Sequence, residues 1–317
     1  MSGAAPLIST PEAPAPAGGE AAWIAGAGGV RLRAALFPAG GARGSVVLSP
    51  GRTEFIEKYG EVVGELRERG FCVLVHDWRG QGLSQRLLPD PLLGHAGGFA
   101  EFVEDHRRIL DAYEARLPRP WIALGHSMGG ALALLALSGG EDRFAAAALT
   151  APMLGVRTGT APAWLAGALS WAMGACGRSG LGVGPKGPGA LAPFEGNWLT
   201  HDRGRYLRAQ ALVRACPELG LGPPTWGWLA FALAAGRALA RPGALERIRV
   251  PVLLAAAGEE KLVLNGLIRR AARRLPRGRL IEVDGALHEI LMETDARRAR
   301  FWAAFDALAA GVSPPRG

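Results

Sequence analysis

Trp121-Ile122-Ala123-Leu124-Gly125-His126-Ser127-Met128-Gly129-Gly130-Ala131-Leu132-Ala133-Leu134-Leu135-Ala136-Leu137 is the stretch whose reading decides the fold. Trp121 to Leu124 is a short apolar run of strand length. Ala131 to Leu137 carries no polar residue and reads as a helix buried on all sides. Between them lies Gly-x-Ser-x-Gly in the strand–turn–helix setting that makes it a nucleophile elbow. A serine held in so tight a turn has strained backbone angles, and side chains at the flanking glycines would collide with the neighbouring strand and helix. The helix that follows also aims free N–H groups and positive potential at charge developing near Ser127. A chance Gly-Ser-Gly turn in a chain with 46 glycines is the bland alternative, and the flanking elements argue against it.

Strands and helices alternate outward from this point. Trp23–Ile24 and Val30–Phe37 read as a hairpin around Gly26 to Gly29, and Ser45 to Ser49 as a short buried strand. Glu54 to Arg69 reads as a helix with Thr53 as its cap and Gly70 beyond its end. Phe71 to Val75 and Phe144 to Leu149 read as strands, and about Phe99 to Leu117 as a helix. This rhythm predicts an α/β fold, a mostly parallel central sheet flanked by helices. It breaks at residues 152–241, which hold five of the nine tryptophans. It resumes with a strand at Val250–Ala257, a helix near Val263–Leu275, a strand at Arg279–Val283 and a last helix from Asp295. The expected organisation is therefore a core of residues 21–151 and 242–317 with a helical cap, 152–241, inserted in it. Residues 1–20, rich in Ala, Pro and Gly, read as a disordered tail.

Four stretches carry a resemblance: Ser49 to Glu54, His76 to Ser84, Gly125 to Gly130, and Gly285 to Leu291. With their spacing, the chain resembles the lysophospholipase and monoacylglycerol lipase branch of the α/β-hydrolases, which carries a helical cap after the sixth core strand. The resemblance covers nearly everything from about Ala22 to the last helix.

A serine hydroxyl is a weak nucleophile, so it needs a base, and the base needs an orienting group. Of six histidines, His288 occupies the loop after the last strand, where the order Ser, acid, His puts the base. His126 is expected to point away from the pocket and His76 to be a structural hydrogen-bonder; His95, His106 and His201 have no partner motif. The resemblance places the acid three residues before a Val, which selects Glu260, where Asp is the commoner residue. Glu259 is the alternative, with Asp284 a distant third. The backbone N–H of Met128 and, from the loop after Ser45–Ser49, that of Arg52 are the expected oxyanion donors; relatives often show His-Gly where this chain has Pro50-Gly51. The resemblance implies that Asp77, Arg79 and Gly80 belong to a structural loop.

Trp164, Leu165, Leu169 and Trp171 fall loosely on one helix face, and Trp226, Trp228, Leu229 and Phe231 form a second apolar cluster. Packing of the cap explains most of them. The functional reading gives Trp164, Trp171, Trp226 and Trp228 to an apolar tunnel for an acyl chain, where each buried methylene contributes about 0.8 kcal/mol. The implied activity is carboxylic-ester hydrolysis on a small-molecule lipid ester, a lysophospholipid or monoacylglycerol. Competing readings are an aminopeptidase, which would use cap carboxylates such as Glu195, Asp202 and Glu218, a thioesterase, and a non-catalytic ligand-binding relative.

No cofactor or metal is expected. His288-Glu289 lacks the second His of a zinc site, and Gly180 to Gly184 follows no strand and precedes Pro185. The formal charge of +8 is carried almost wholly by arginine, densest over Arg269–Arg279. The plain reading is a solvated helix face; the sharper one is peripheral contact with an anionic membrane surface or attraction to a phosphate-bearing substrate. Nucleic acid is not an expected partner, because no aromatic-interleaved basic motif occurs. Three cysteines without metal-like spacing, and no apolar run long enough to span a bilayer, predict a reduced cytoplasmic protein, with the inner membrane face as a secondary location.

Overall fold

The computed structural model describes residues 3–159, 161–184 and 191–312. Parts of the expected tail, cap and C-terminal core (1–2, 160, 185–190, 313–317), Pro185 among them, lie outside the described residues. An eight-stranded sheet runs through the molecule in the order β1-β2-β4-β3-β5-β6-β7-β8. Its strands are β1 (Glu20–Ala25), β2 (Arg31–Phe37), β3 (Ser45–Ser49), β4 (Cys72–Asp77), β5 (Trp121–His126), β6 (Phe144–Thr150), β7 (Val252–Ala257) and β8 (Gly278–Val283). β1 and β2 pair antiparallel, as does β2 with β4; every other pairing is parallel. Strands β3 to β7 are almost continuously buried, as expected where helices cover both faces. Two apolar clusters, one per face, form the core.

The helices bury the faces their sequences dictate. α1 spans Gly60–Glu68 and α2 Phe99–Tyr113; α2 buries Phe102, His106, Ile109, Leu110 and Tyr113 at helical spacing. α3 (Met128–Ser138) is apolar and nearly all buried. α7 (Asn265–Arg274) turns Ile268 and Ala271 inward, while Arg269 pairs with Glu282 and Arg274 with Glu246. The densest arginine cluster is thus partly absorbed by surface ion pairs. α8 (Asp295–Ala310) closes the fold.

Between β6 and β7 lie α4 (Ala163–Ala175), α5 (Arg203–Ala215) and α6 (Trp226–Ala240). Arg205 ties α5 to the core through Glu61 and Asp295. Backbone bonds from Gly94 to Pro223 (3.0 Å) and from Gly222 to Leu92 (2.7 Å) fix the approach to α6.

Two expectations are corrected. Residues 3–19 are not a disordered tail but an ordered strip that pairs with edge strand β1 near Ala4 and runs on against α1 and α5. Ala5 N–H donates to Ala21 O at 2.9 Å, Ile8 N–H to Glu57 Oε1 at 2.9 Å, and Pro6 O accepts from Arg33 Nη1 at 3.0 Å. The Ala/Pro composition precludes a core of its own, yet an extended strip needs only partners for its backbone, and β1 and the buried Arg33–Glu57 pair supply them. The helix expected from Glu54 begins instead with a 3-10 turn, Ile56–Tyr59, and Thr53 does not cap it. Thr53 has φ 67°, and Glu54 turns back to accept from Gly51 N–H (2.5 Å) and Tyr59 O–H (2.5 Å).

Candidate active site

The loops after β3, β5, β7 and β8 all leave the carboxyl edge of the parallel strands. β3 leads on to β4 on one side and β5 to β6 on the other, so the strand order reverses between β3 and β5, where open α/β sheets bind ligands. Ser127 stands directly after β5 with φ 49° and ψ −113°, a left-handed conformation costly for a residue with a side chain. Its turn is feasible because of its glycines. A Cβ on Gly129 would lie 2.0 Å from Ser49 O, and one on Gly125 would lie 2.8 Å from Gly130 Cα.

Three of the anticipated side chains meet here in a line. Ser127 Oγ is 2.9 Å from His288 Nε2, and His288 Nδ1 is 2.7 Å from Glu260 Oε2. Glu260 is fixed by its other oxygen, which accepts from the N–H groups of Leu262 (2.7 Å) and Val263 (3.1 Å). Burial pushes the Glu260 carboxyl up, but the hydrogen bond from His288 and these two N–H groups outweigh it and hold the group below its ordinary range. An ionised Glu260 only accepts, so Nδ1 carries the proton and the Nε2 lone pair faces the Ser127 hydroxyl. Glu259 is exposed and reaches only towards His201, at 3.7 Å; Asp284 is exposed and pairs with Arg300. Neither approaches His288 as Glu260 does.

Met128 is the first residue of α3, so its N–H faces the turn rather than a carbonyl within the helix. Arg52 lines the cavity with Ser127. The N–H of its neighbour Gly51 is already taken by Glu54, which leaves the Arg52 N–H as the candidate donor from this loop.

The cavity over Ser127 has a volume of about 280 Å³ and is walled by Met153, Leu199, Trp228, Leu262 and Val263. Of the four tryptophans expected along an acyl path, only Trp228 lines it. Trp226 is half-buried elsewhere, and Trp164 and Trp171 are 74% and 75% exposed. The cause lies in the packing of α4: Ala166 and Ser170 are its buried residues, the small side chains that let it approach α6, so its bulky face points out. His126, expected to point away, sits in the cavity wall, its ring 4.8 Å from that of His288 and hydrogen-bonded to Thr150 Oγ1 at 3.0 Å. Burial pushes its pKa down to about 4, so it is neutral at pH 7. His76 is not a hydrogen-bonder: both ring nitrogens are buried without partners, and the ring packs edge-on against Trp78 at 4.4 Å. The Asp77–Arg79 loop is held by buried ion pairs, Asp77 to Arg33 and Arg79 to Asp105.

A buried charge cluster that no local sequence pattern signals lies beside the site. Lys58 Nζ lies 2.5 Å from Glu289 and 3.0 Å from Glu54. Burial raises Glu289, while Glu54, also penalised by burial, is brought down to about 2 by Lys58 and His126 nearby. Glu289 follows His288 directly, so this cluster anchors the histidine loop. The segment before α5 clasps the same loop through Glu289 N–H to Leu199 O at 2.8 Å.

The family model described as Serine aminopeptidase, S33 matches residues 40–295. Lysophospholipase L2 of Escherichia coli K12 is 38% identical over 267 residues, covering 80% of this chain and 76% of that protein. The probable lysophospholipase L2 of Haemophilus influenzae is 29% identical, covering 86% of each. Among solved structures, a soluble variant of the Saccharomyces cerevisiae monoglyceride lipase in complex with a substrate analog superposes with a TM-score of 0.73 at 15% identity, over 92% of this chain and 96% of that one. With its elbow serine at the switch point of an α/β-hydrolase sheet, the chain belongs to the serine aminopeptidase S33 family.

Proposed function

We propose that the protein hydrolyses the carboxylic ester of a single-chain acylglycerol lipid, a lysophospholipid or a monoacylglycerol, through an acyl-enzyme on Ser127. The hydrogen-bonded line Ser127–His288–Glu260 at the floor of a largely apolar cavity carries this reading. In it, Ser127 Oγ attacks the ester carbonyl as His288 Nε2 takes its proton, and Glu260 stabilises the imidazolium that results. The N–H groups of Met128 and Arg52 receive the developing oxyanion, each such donor contributing about 10²–10³ in rate. Collapse breaks the ester bond, and the glycerol oxygen leaves with the proton from His288. Water then attacks the acyl-enzyme with the same histidine as base, releasing the fatty acid and restoring Ser127.

The names of the relatives support a lipid ester, and the carboxylates that an aminopeptidase reading would use do not gather at the cavity. Glu195 pairs with Arg203, Asp202 caps α5 and pairs with Arg205, and none of these, nor Glu218, lines the cavity. Hydrolysis of a monoacylglycerol and lysophosphatidylcholine beside an aminoacyl amide tests the proposal; faster amide turnover would overturn it.

The reading includes peripheral contact with the inner face of an anionic membrane from the cytoplasm. α4 is uncharged along its whole length, exposes Trp164, Leu169 and Trp171, and is followed by the exposed Arg178. The three cysteines are unpaired, as suits a reducing compartment. Among the described residues, no helix is long and apolar enough to cross a membrane.

A further inference from the structure

We infer that the side chains of Arg52 and Arg157 form a cationic pair that reads a phosphate one glycerol away from the ester under attack, and so favours lysophospholipids over neutral acylglycerols. The inference rests on the ester-hydrolase reading above and assigns its headgroup selectivity to two residues.

The buried arginines among the described residues are heavily paired. Arg33, Arg79, Arg205 and Arg298 each meet two or more carboxylates. Arg52 meets none among the described residues. Its Nη2 donates to Gly222 O at 2.5 Å, its Cζ lies 5.1 Å from the centre of the Trp228 ring, and its Nε is shut off from solvent without a hydrogen-bond partner. Burial lowers its pKa to about 10, which still leaves it charged at pH 7. Arg52 is half-buried, and a half-buried cation without a counter-ion is unfavourable; a phosphate oxygen would supply both the charge and an acceptor.

Arg157 lines the same cavity and is exposed. Its backbone is held against the acid loop by its N–H to Leu262 O at 2.9 Å, and its side chain has no ion pair among the described residues. The sheet order β3-β5-β6 sets the strand bearing Ser127 between the strands whose following segments carry Arg52 and Arg157. The carboxylates at the cavity do not neutralise the pair, because Glu289 is engaged by Lys58 and Glu260 by His288. The guanidinium fork suits phosphate oxygens.

The test compares kcat/KM for lysophosphatidylcholine and for the monoacylglycerol of the same acyl chain, both kept monomeric, in wild type, Arg52→Met, Arg157→Ala and Arg157→Lys. The ratio of the two substrates is expected to fall about ten- to a hundred-fold in Arg157→Ala and Arg52→Met, since each loses a charge-assisted bond to phosphate. Arg157→Lys keeps the charge and should retain most of the ratio. An unchanged ratio in both truncated variants would overturn the inference. Should Arg52→Met fail to fold, the wild type still decides: glycerophosphocholine should compete with hydrolysis of a neutral aryl ester where glycerol does not, and equal indifference to both counts against the pair. Failure of the underlying reading is separate. It would appear as a wild type that cleaves neither lipid, or as turnover that survives Ser127→Ala.

Discussion

Replacing Glu260 with Gln probes the least conventional member of the proposed machinery. One oxygen of Glu260 accepts two backbone N–H groups, and the other accepts His288 Nδ1–H. Gln offers one oxygen and one NH₂, so one side must lose its acceptor. Turning the NH₂ towards Leu262 and Val263 would leave two buried donors unsatisfied, at about 1–3 kcal/mol each. The opposite orientation keeps both backbone bonds and sets the NH₂ against Nδ1. The imidazole then shifts its proton to Nε2 and presents N–H, not a lone pair, to Ser127. The same amide exchange in a serine–histidine–aspartate site lowers kcat by about 10⁴, and at about 1.36 kcal/mol per tenfold that is roughly 5 kcal/mol of barrier. Glu260→Asp keeps the charge but draws it back by a methylene, for a loss of about 10². The assay is kcat on a soluble aryl ester, with thermal melting to show that the fold persists. Glu260→Gln activity within about tenfold of wild type would refute the reasoning, as would an equal loss in the exposed Glu259→Gln.

Gly129→Ala sets a Cβ 2.0 Å from Ser49 O and 2.6 Å from Pro50 O; both are backbone atoms, so the elbow must distort, and a fall in melting temperature together with loss of esterase activity is expected. Trp164→Ser combined with Trp171→Ser should weaken sedimentation with anionic vesicles while leaving aryl-ester kcat within about twofold, because neither residue lines the cavity; undiminished vesicle binding would count against membrane contact through α4. Glu61 is penalised by burial but held down to about 2 by Arg205, Arg298 and Arg208. A depressed carboxylate contributes stability above its ordinary value of 4.5 that disappears as pH falls towards 2. Glu61→Gln should therefore be less stable than wild type to urea at pH 7, with the gap closing as pH falls from 4.5; a gap independent of pH would contradict the ion-pair account.

Much of the candidate site's geometry is legible in the sequence because its determinants are local. The elbow is a contiguous strand–turn–helix, and its glycines are required by backbone atoms a few residues away in space that the motif itself implies. The offset from Val263 that selects Glu260 as the candidate acid has a physical basis, since the Val263 N–H bonds to the Glu260 carboxylate. The charge cluster was not legible: Lys58 and Glu289 are 231 positions apart, and only the fold brings them together. The tryptophans misled because a large apolar residue carries no sign of which way its helix turns. Small residues decided that, with Ala166 and Ser170 taking the buried face of α4. The N-terminal strip misled for a related reason, as composition describes what a segment can bury by itself and not which buried arginine or strand edge will accept its backbone.

The most direct test of the central claim is the intact mass and peptide map of the protein after reaction with a fluorophosphonate. A single adduct on Ser127, absent from Ser127→Ala and formed far more slowly in His288→Ala, is the predicted result. An adduct on another residue, or no adduct on a wild type that hydrolyses esters, would contradict it.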